Sequence, residues 1–151
     1  PDALGFKYKM SNLQAAIGFA QIERVEELIS RKREIYLYYK KTLEQYDGVW
    51  LNPEPLGTVN GAWMPSVMFS PELCVSQKDL LASFQEMGID ARVIFWPLSS
   101  TRLFKPSSVY NQISHAITDR SINLPSYHDM TFSEQDCVID VVKNAIDTKN
   151  P

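Results

Sequence analysis

From Asn12 to Gln45 the chain carries its longest helical pattern, and that pattern limits the folds open to it. Apolar residues recur in steps of three and four at Ile22, Val25, Ile29, Tyr36, Tyr39 and Leu43, with Lys32 interrupting the series. Such spacing predicts one buried helical stripe. Ser11, with Gln14 three residues later, has the capping-box spacing and predicts the start. Asp47-Gly48 predicts the stop. A single helix over this range would span about 50 Å at a rise of roughly 1.5 Å per residue, long for a compact domain. A bend near Gly18 or a break near Ser30 is therefore expected. Ala15, Ala16, Gly18 and Ala20 give the helix a small-residue face that admits another backbone closely. That face is expected to pack against an upstream domain or a second subunit. Glu23, Glu26, Glu27, Arg31, Arg33 and Glu34 are expected on solvated faces, and Arg31-Lys32-Arg33 is also a candidate anion site.

The remaining elements are shorter. Val49-Trp50-Leu51 predicts a strand, and the Pro- and Gly-punctuated stretch 52–61 a loop. Residues 62–70 alternate, with Trp63, Pro65, Val67 and Phe69 on one face and Met64, Ser66 and Met68 on the other, which predicts a second strand. Pro65 lacks a donor, so an edge position or a bulge is expected there. Ser76, with Asp79 at the matching spacing, predicts a helix with Leu80, Leu81, Phe84 and Met87 buried. Gly88 supplies its left-handed stop. Residues 89–96 predict a strand that ends at Pro97, completing a strand-helix-strand unit. Residues 97–111 are polar and Ser-rich and are expected to form a surface loop over a cleft. Residues 115–120 predict a short helix, and 121–124 a brief strand ended by Pro125. Ser133 is placed as the cap of a last helix that buries Val138, Val141, Val142, Ala145 and Ile146. The expected fold class is α+β: a small, few-stranded sheet covered by helices on one face, with a long N-terminal helix at its border. The expected division is a basic-aromatic arm at 1–11, a long linking helix at 12–46 and a small α+β C-terminal domain at 47–151.

With 151 residues the chain is long enough for one domain with a modest core. Its net charge of -3 argues against bulk attraction to nucleic acid or to an anionic membrane. No apolar run approaches the roughly 20 residues of a membrane span, and no signal-peptide pattern is present. Cys74 and Cys137 have no metal-type spacing. They read as reduced cytoplasmic thiols, Cys137 in a helix core. The start at Pro1-Asp2-Ala3-Leu4, in a loop and without Met, predicts a fragment of a longer protein. P-loop, G-x-G-x-x-G, H-E-x-x-H and G-x-S-x-G motifs are absent. His115 and His128 are isolated and read as surface or loop residues. Asp129 beside His128 suggests a dyad, but adjacent loop residues rarely face each other. Lys7 and Lys9 share one side of an extended segment and suit a phosphate as two point charges. Phe6, Tyr8 and Met10 take the other side. They suit stacking on a base or, alternatively, burial beneath an exposed strand.

The segment Gly5 to Gln21, GFKYKMSNLQAAIGFAQ, resembles the segment G-Y/F-N/K-Y-R/K-M-S/T-N-x-Q-A-A-I-G-x-A-Q of the DegT–DnrJ–StrS nucleotide-sugar aminotransferases. These are fold-type I pyridoxal phosphate enzymes, and the perosamine-synthase-like members are most similar. A second segment, Gly88 to Leu98, resembles the family's G-I-x-x-R-x-x-F/H-Y/W-P-L, and Leu124-Pro125-Ser126 with 133–142 resembles its C-terminal ending. The resemblance implies the C-terminal small domain of such an enzyme. It implies that the arm reaches into the neighbouring subunit's active site. Lys7 would then contribute to holding the cofactor phosphate and Lys9 would lie near the phosphates of the nucleotide sugar. Many members have Asn and Arg there; Lys9 lacks the bidentate fork of Arg. Arg92, Phe95 and Trp96 become substrate-binding candidates, with strand-end core the alternative for the two aromatics. Many members place His after Pro-Leu, whereas Ser99, Ser100 and Thr101 follow here.

The family's cofactor-bearing lysine, in an S-F-x-x-x-K type segment, and its aspartate partner of the pyridine nitrogen have no counterpart in this sequence. The resemblance therefore implies pyridoxal 5'-phosphate attached to a lysine outside this chain, no catalytic residue within it, no metal, and no transamination by the segment alone. It implies a cytoplasmic homodimer with active sites at the subunit interface, a keto-sugar nucleotide as substrate and glutamate as amino donor. The setting implied is cell-surface polysaccharide biosynthesis, with neither nucleic acid nor membrane as partner. The competing reading is a non-enzymatic module that uses the long helix for oligomerisation and the basic segment for a ligand or partner. A nucleic-acid reader ranks third because of the net charge.

Overall fold

Ser11 starts the first helix as its spacing predicts. Ser11 Oγ accepts from Gln14 N at 3.3 Å, and Gln14 Oε1 accepts from Ser11 N at 2.9 Å. In this computed structural model, residues 5–102 and 112–149 are described. The long helical pattern resolves into two helices, α1 (Asn12–Ile22) and α2 (Val25–Leu43). The break falls at Glu23 and Arg24 rather than at Gly18 or Ser30. Glu26 and Glu27 then occupy the first turn of a new helix, where negative charge complements the dipole. Arg24 turns its guanidinium onto Glu27 at 2.7 Å. The two helices also differ in burial. Ile35, Tyr36, Tyr39 and Leu43 of α2 are fully buried, while no residue of α1 is. Ile22, Val25 and Ile29, expected in the buried stripe, are exposed.

The sheet is built from β1 (Val49–Leu51), β2 (Ser66–Phe69), β3 (Arg92–Val93) and β4 (Ser121–Asn123), in the order β1-β2-β4-β3 with every neighbouring pair antiparallel. Leu51 pairs with Val67, Val67 with Ile122, and Ile122 with Val93. Alternation puts Val49, Leu51, Val67, Phe69 and Ile122 on one face, all buried. Helices α2, α3 (Gln77–Glu86) and α5 (Phe132–Lys149) close that core, and a short α4 (Gln112–Thr118) leads into β4. The α+β architecture is the expected one. The strand-helix-strand unit crosses to a non-adjacent position, because β4 inserts antiparallel between β2 and β3.

Several local expectations change in tertiary context. β2 is an interior strand, and Pro65 stands just before it, offering its carbonyl to Leu124 N at 2.8 Å. No ladder donor is missed, so neither an edge nor a bulge is needed. The predicted 89–96 strand shrinks to Arg92–Val93, since β4 offers only Asn123 and Ile122 as partners. Gly88 takes φ +69 as expected, but Met87 lies beyond the end of α3 and is exposed. The last helix is capped by Thr131, not Ser133: Thr131 Oγ1 accepts from Glu134 N at 3.2 Å, and Glu134 Oε2 accepts from Thr131 N at 2.7 Å. Cys137 is exposed; it sits one helical step round from the buried Val138. In the loop expected at 97–111, residues Leu98–Ser100 form a 3-10 turn, and 103–111 lie outside the described residues.

Polar ties run from α2 to the loops. Tyr36 OH donates to Asn52 O at 2.6 Å and Tyr39 OH to Pro125 O at 3.0 Å. Arg31 donates to the carbonyls of His128 and Met130, and Lys32 to that of Ser126. Arg33 binds Glu54 and the Asn60 carbonyl. The three cations considered as an anion site are thus committed to internal acceptors.

Candidate functional site

Residues Gly5–Ser11 adopt no regular structure and are exposed. Phe6 is 74% and Tyr8 90% exposed, with ring centroids 6.2 Å apart. The aromatics are therefore not buried beneath the lysines. Lys7 and Lys9 form no ion pair or hydrogen bond among the described residues, and with Tyr8, Met10 and Gln14 they border an open hollow of about 390 Å³. Two unpaired ammonium groups over one hollow can receive a phosphate. The apolar surface continues along α1 through Leu13, Ile17, Phe19 and Ile22, all exposed. By contrast, burial lowers the pKa of Lys32, whose ammonium is spent on the Ser126 carbonyl.

Arg92, Phe95 and Trp96 stand together on the segment that follows α3. Arg92 Nη2 lies 2.7 Å from Asp90 Oδ2, and both side chains are largely exposed. Phe95 is 69% and Trp96 56% exposed, so neither is strand-end core. Phe95 instead stacks on Trp63, with centroids 6.3 Å apart and an interplanar angle of 23°. Trp63 was not singled out by sequence reasoning, which placed it with Pro65, Val67 and Phe69 on one face of a strand. The available signal was the Asn60-Gly61-Ala62 turn before it. Nearby, Ser99 Oγ lies 3.0 Å from His115 Nε2, so a histidine from α4 stands against the residue that follows Pro97-Leu98. His128 Nε2 approaches Glu27 at 3.5 Å rather than Asp129. No hydrogen bond, ion pair or ring contact joins the arm to Arg92, Phe95 or Trp96 among the described residues. The candidates form two separate groups, charged on the arm and aromatic beside β3. No group of three or more His, Cys, Asp or Glu among the described residues could hold a metal ion. No described helix is long and apolar enough to cross a membrane.

A profile of the DegT/DnrJ/EryC1/StrS aminotransferase family matches residues 1–143. The chain belongs to that family. EpsN of Bacillus subtilis (strain 168), which carries the provisional name of a pyridoxal phosphate-dependent aminotransferase, is 32% identical over 150 residues, covering 96% of this chain and 38% of EpsN. GDP-perosamine synthase of Vibrio cholerae is 28% identical over 145 residues, covering 95% of this chain and 39% of that enzyme. Among solved structures, the aminotransferase TlmJ from Streptoalloteichus hindustanus shares the fold with a TM-score of 0.81 at 21% identity, covering 97% of this chain and 39% of that one. This DegT/DnrJ/EryC1/StrS chain thus spans under two fifths of the length of these relatives.

Proposed function

We propose that this chain is the C-terminal portion of a pyridoxal phosphate-dependent aminotransferase that transfers an amino group from glutamate to a keto-sugar nucleotide. In this reading 1–11 is an arm, 12–46 links, and 47–151 is the C-terminal domain. The enzyme is a homodimer, each arm completing the partner's site. It works in the cytoplasm and feeds cell-surface polysaccharide synthesis. The observation that carries the proposal is the unpaired pair Lys7 and Lys9, exposed on an uncovered arm, in a chain of an aminotransferase family. The name of the Vibrio cholerae relative, GDP-perosamine synthase, supports a nucleotide sugar as substrate.

The residues present fit the cofactor's phosphate, since Lys7 is accessible and free of competing carboxylates among the described residues. Lys7 would hold that phosphate. When bound, the cofactor supplies the electron sink for amino transfer. Lys9 neutralises the diphosphate of the nucleotide sugar, and Arg92, Phe95 and Trp96 border its sugar. No catalytic residue is assigned within the chain, so this segment alone is inactive.

The test uses the full-length protein with pyridoxal phosphate, glutamate and a panel of nucleotide keto-sugars, read by mass spectrometry of the product. The expected result is an amino-sugar nucleotide from at least one member of the panel. A protein that binds no cofactor and converts no sugar, yet self-associates through α1, would instead be the oligomerisation module.

A further inference from the structure

We infer that Trp63 is a specificity-determining residue, forming with Phe95 an aromatic platform for the hexose ring of the nucleotide sugar. The inference rests on the proposed function above and adds a residue to its site. Two large rings, 71% and 69% exposed, lie close to parallel with centroids 6.3 Å apart. An exposed stack of two large rings presents apolar ring surface to solvent.

The backbone before Trp63 is built to present it. Ala62 has φ +50, a left-handed conformation that a non-glycine residue rarely adopts, and its side chain is buried. Asn60 Oδ1 accepts from Ala62 N at 2.8 Å, Glu54 Oε1 accepts from Asn60 N at 2.9 Å, and Arg33 binds both Glu54 and the Asn60 carbonyl. On the far side, Ser126 Oγ donates to the Trp63 carbonyl at 3.4 Å. A strained residue held from several directions marks a position whose orientation matters.

The chemistry of the surface selects the ligand part. The guanidinium on the neighbouring segment, Arg92, is paired with Asp90, so this surface offers aromatic faces rather than free charge to a diphosphate. An aromatic face carries negative quadrupole charge. The C–H bonds of a hexose, polarised by neighbouring oxygens, point positive hydrogens at such a face. The hydroxyls then stay at the rim, where they keep hydrogen-bond partners and avoid desolvation.

Calorimetric titration of the full-length protein separates sugar from nucleotide. The probes are GDP, UDP and dTDP, each alone and as its diphospho-glucose or diphospho-mannose conjugate. For the nucleotide that the wild type prefers, Trp63→Ala should weaken the diphospho-hexose about tenfold and the free diphosphate by less than about twofold. Trp63→Phe should recover most of the loss, and Phe95→Ala should reproduce it. Unchanged thermal unfolding of each variant guards against a folding artefact, which the exposure of both rings makes avoidable. Equal weakening of both ligands would reassign the platform to the base and overturn the inference. So would unchanged affinity for both. In either case the wild type still binds its nucleotide sugar and the proposed function stands. A wild type that binds none of the probes would overturn both.

Discussion

Arg33 of α2 and Glu54 of the 52–61 loop meet at 2.8 Å, Nη1 to Oε1, with about a quarter of each side chain exposed. The same guanidinium nitrogen reaches Asn60 O at 2.6 Å, and the same carboxylate oxygen accepts from Asn60 N at 2.9 Å. A core helix thereby sets the loop that turns through Ala62 to Trp63. Arg33 first, and then the Asn60 N–H, hold the Glu54 carboxyl below its ordinary value of 4.5. A lowered pKa means that the carboxylate form is favoured by folding. Its contribution is present above 4.5 and is lost as pH falls through the lowered folded value. Glu54→Gln should therefore lower the melting temperature at neutral pH, and the gap to wild type should close on the acid side of 4.5. A gap independent of pH would mean that the loop does not depend on the charge.

The cap of α5 gives a second test. Thr131→Ala removes the acceptor for Glu134 N and should cost about 1 kcal/mol in urea unfolding. Ser133→Ala should stay within about 0.5 kcal/mol, because Ser133 is an exposed first-turn residue.

Burial separates the two N-terminal helices. Leu43 is fully buried, and Leu43→Ala should cost about 2–5 kcal/mol in the 151-residue chain. Leu13 is 72% exposed, and Leu13→Ala should cost under about 0.5 kcal/mol in the same chain. In the full-length protein a partner covering α1 would raise the Leu13 cost. A large Leu13 effect in the short chain would show that α1 is already covered there.

The arm lysines are tested across the subunit boundary. A charge-assisted hydrogen bond to phosphate contributes about 1.5–3 kcal/mol, roughly ten- to a hundredfold in affinity. Lys7→Ala in the full-length enzyme should weaken cofactor retention by that factor with little effect on folding. Lys9→Ala should raise KM for the nucleotide sugar and spare the glutamate half-reaction. Subunits carrying Lys7→Ala and Lys9→Ala, mixed with subunits lacking the cofactor-bearing lysine, should regain activity from one intact site per mixed dimer. Verified mixing without recovery would place both lysines in their own subunit's service or in solvent.

Features fixed by a few adjacent residues were legible before any fold was known. The Ser11 and Ser76 caps, the left-handed Gly88 and the β1 strand all depend on local hydrogen bonds and backbone sterics. So did the stripe of Tyr36, Tyr39 and Leu43, because helical spacing states which side chains share a face. The Thr131–Glu134 spacing was equally present in the sequence, and only the competing Ser133 hid it. The motifs around Lys7, Lys9 and Arg92 to Trp96 carried the family resemblance for the same local reason. What periodicity cannot state is whether another surface meets that face. Ile22, Val25 and Ile29 continue the stripe of Tyr36, yet they are exposed because the described chain has nothing packed there. Pro65 looked like an edge residue until β4 paired with β2 beyond it. Trp63 and Phe95 lie on separate segments, and their stacking depends on the 52–61 loop, which Arg33, Glu54 and Asn60 hold just before Trp63. Local sterics act within a few residues, whereas burial, strand order and the aromatic platform depend on which distant segments reach the same place.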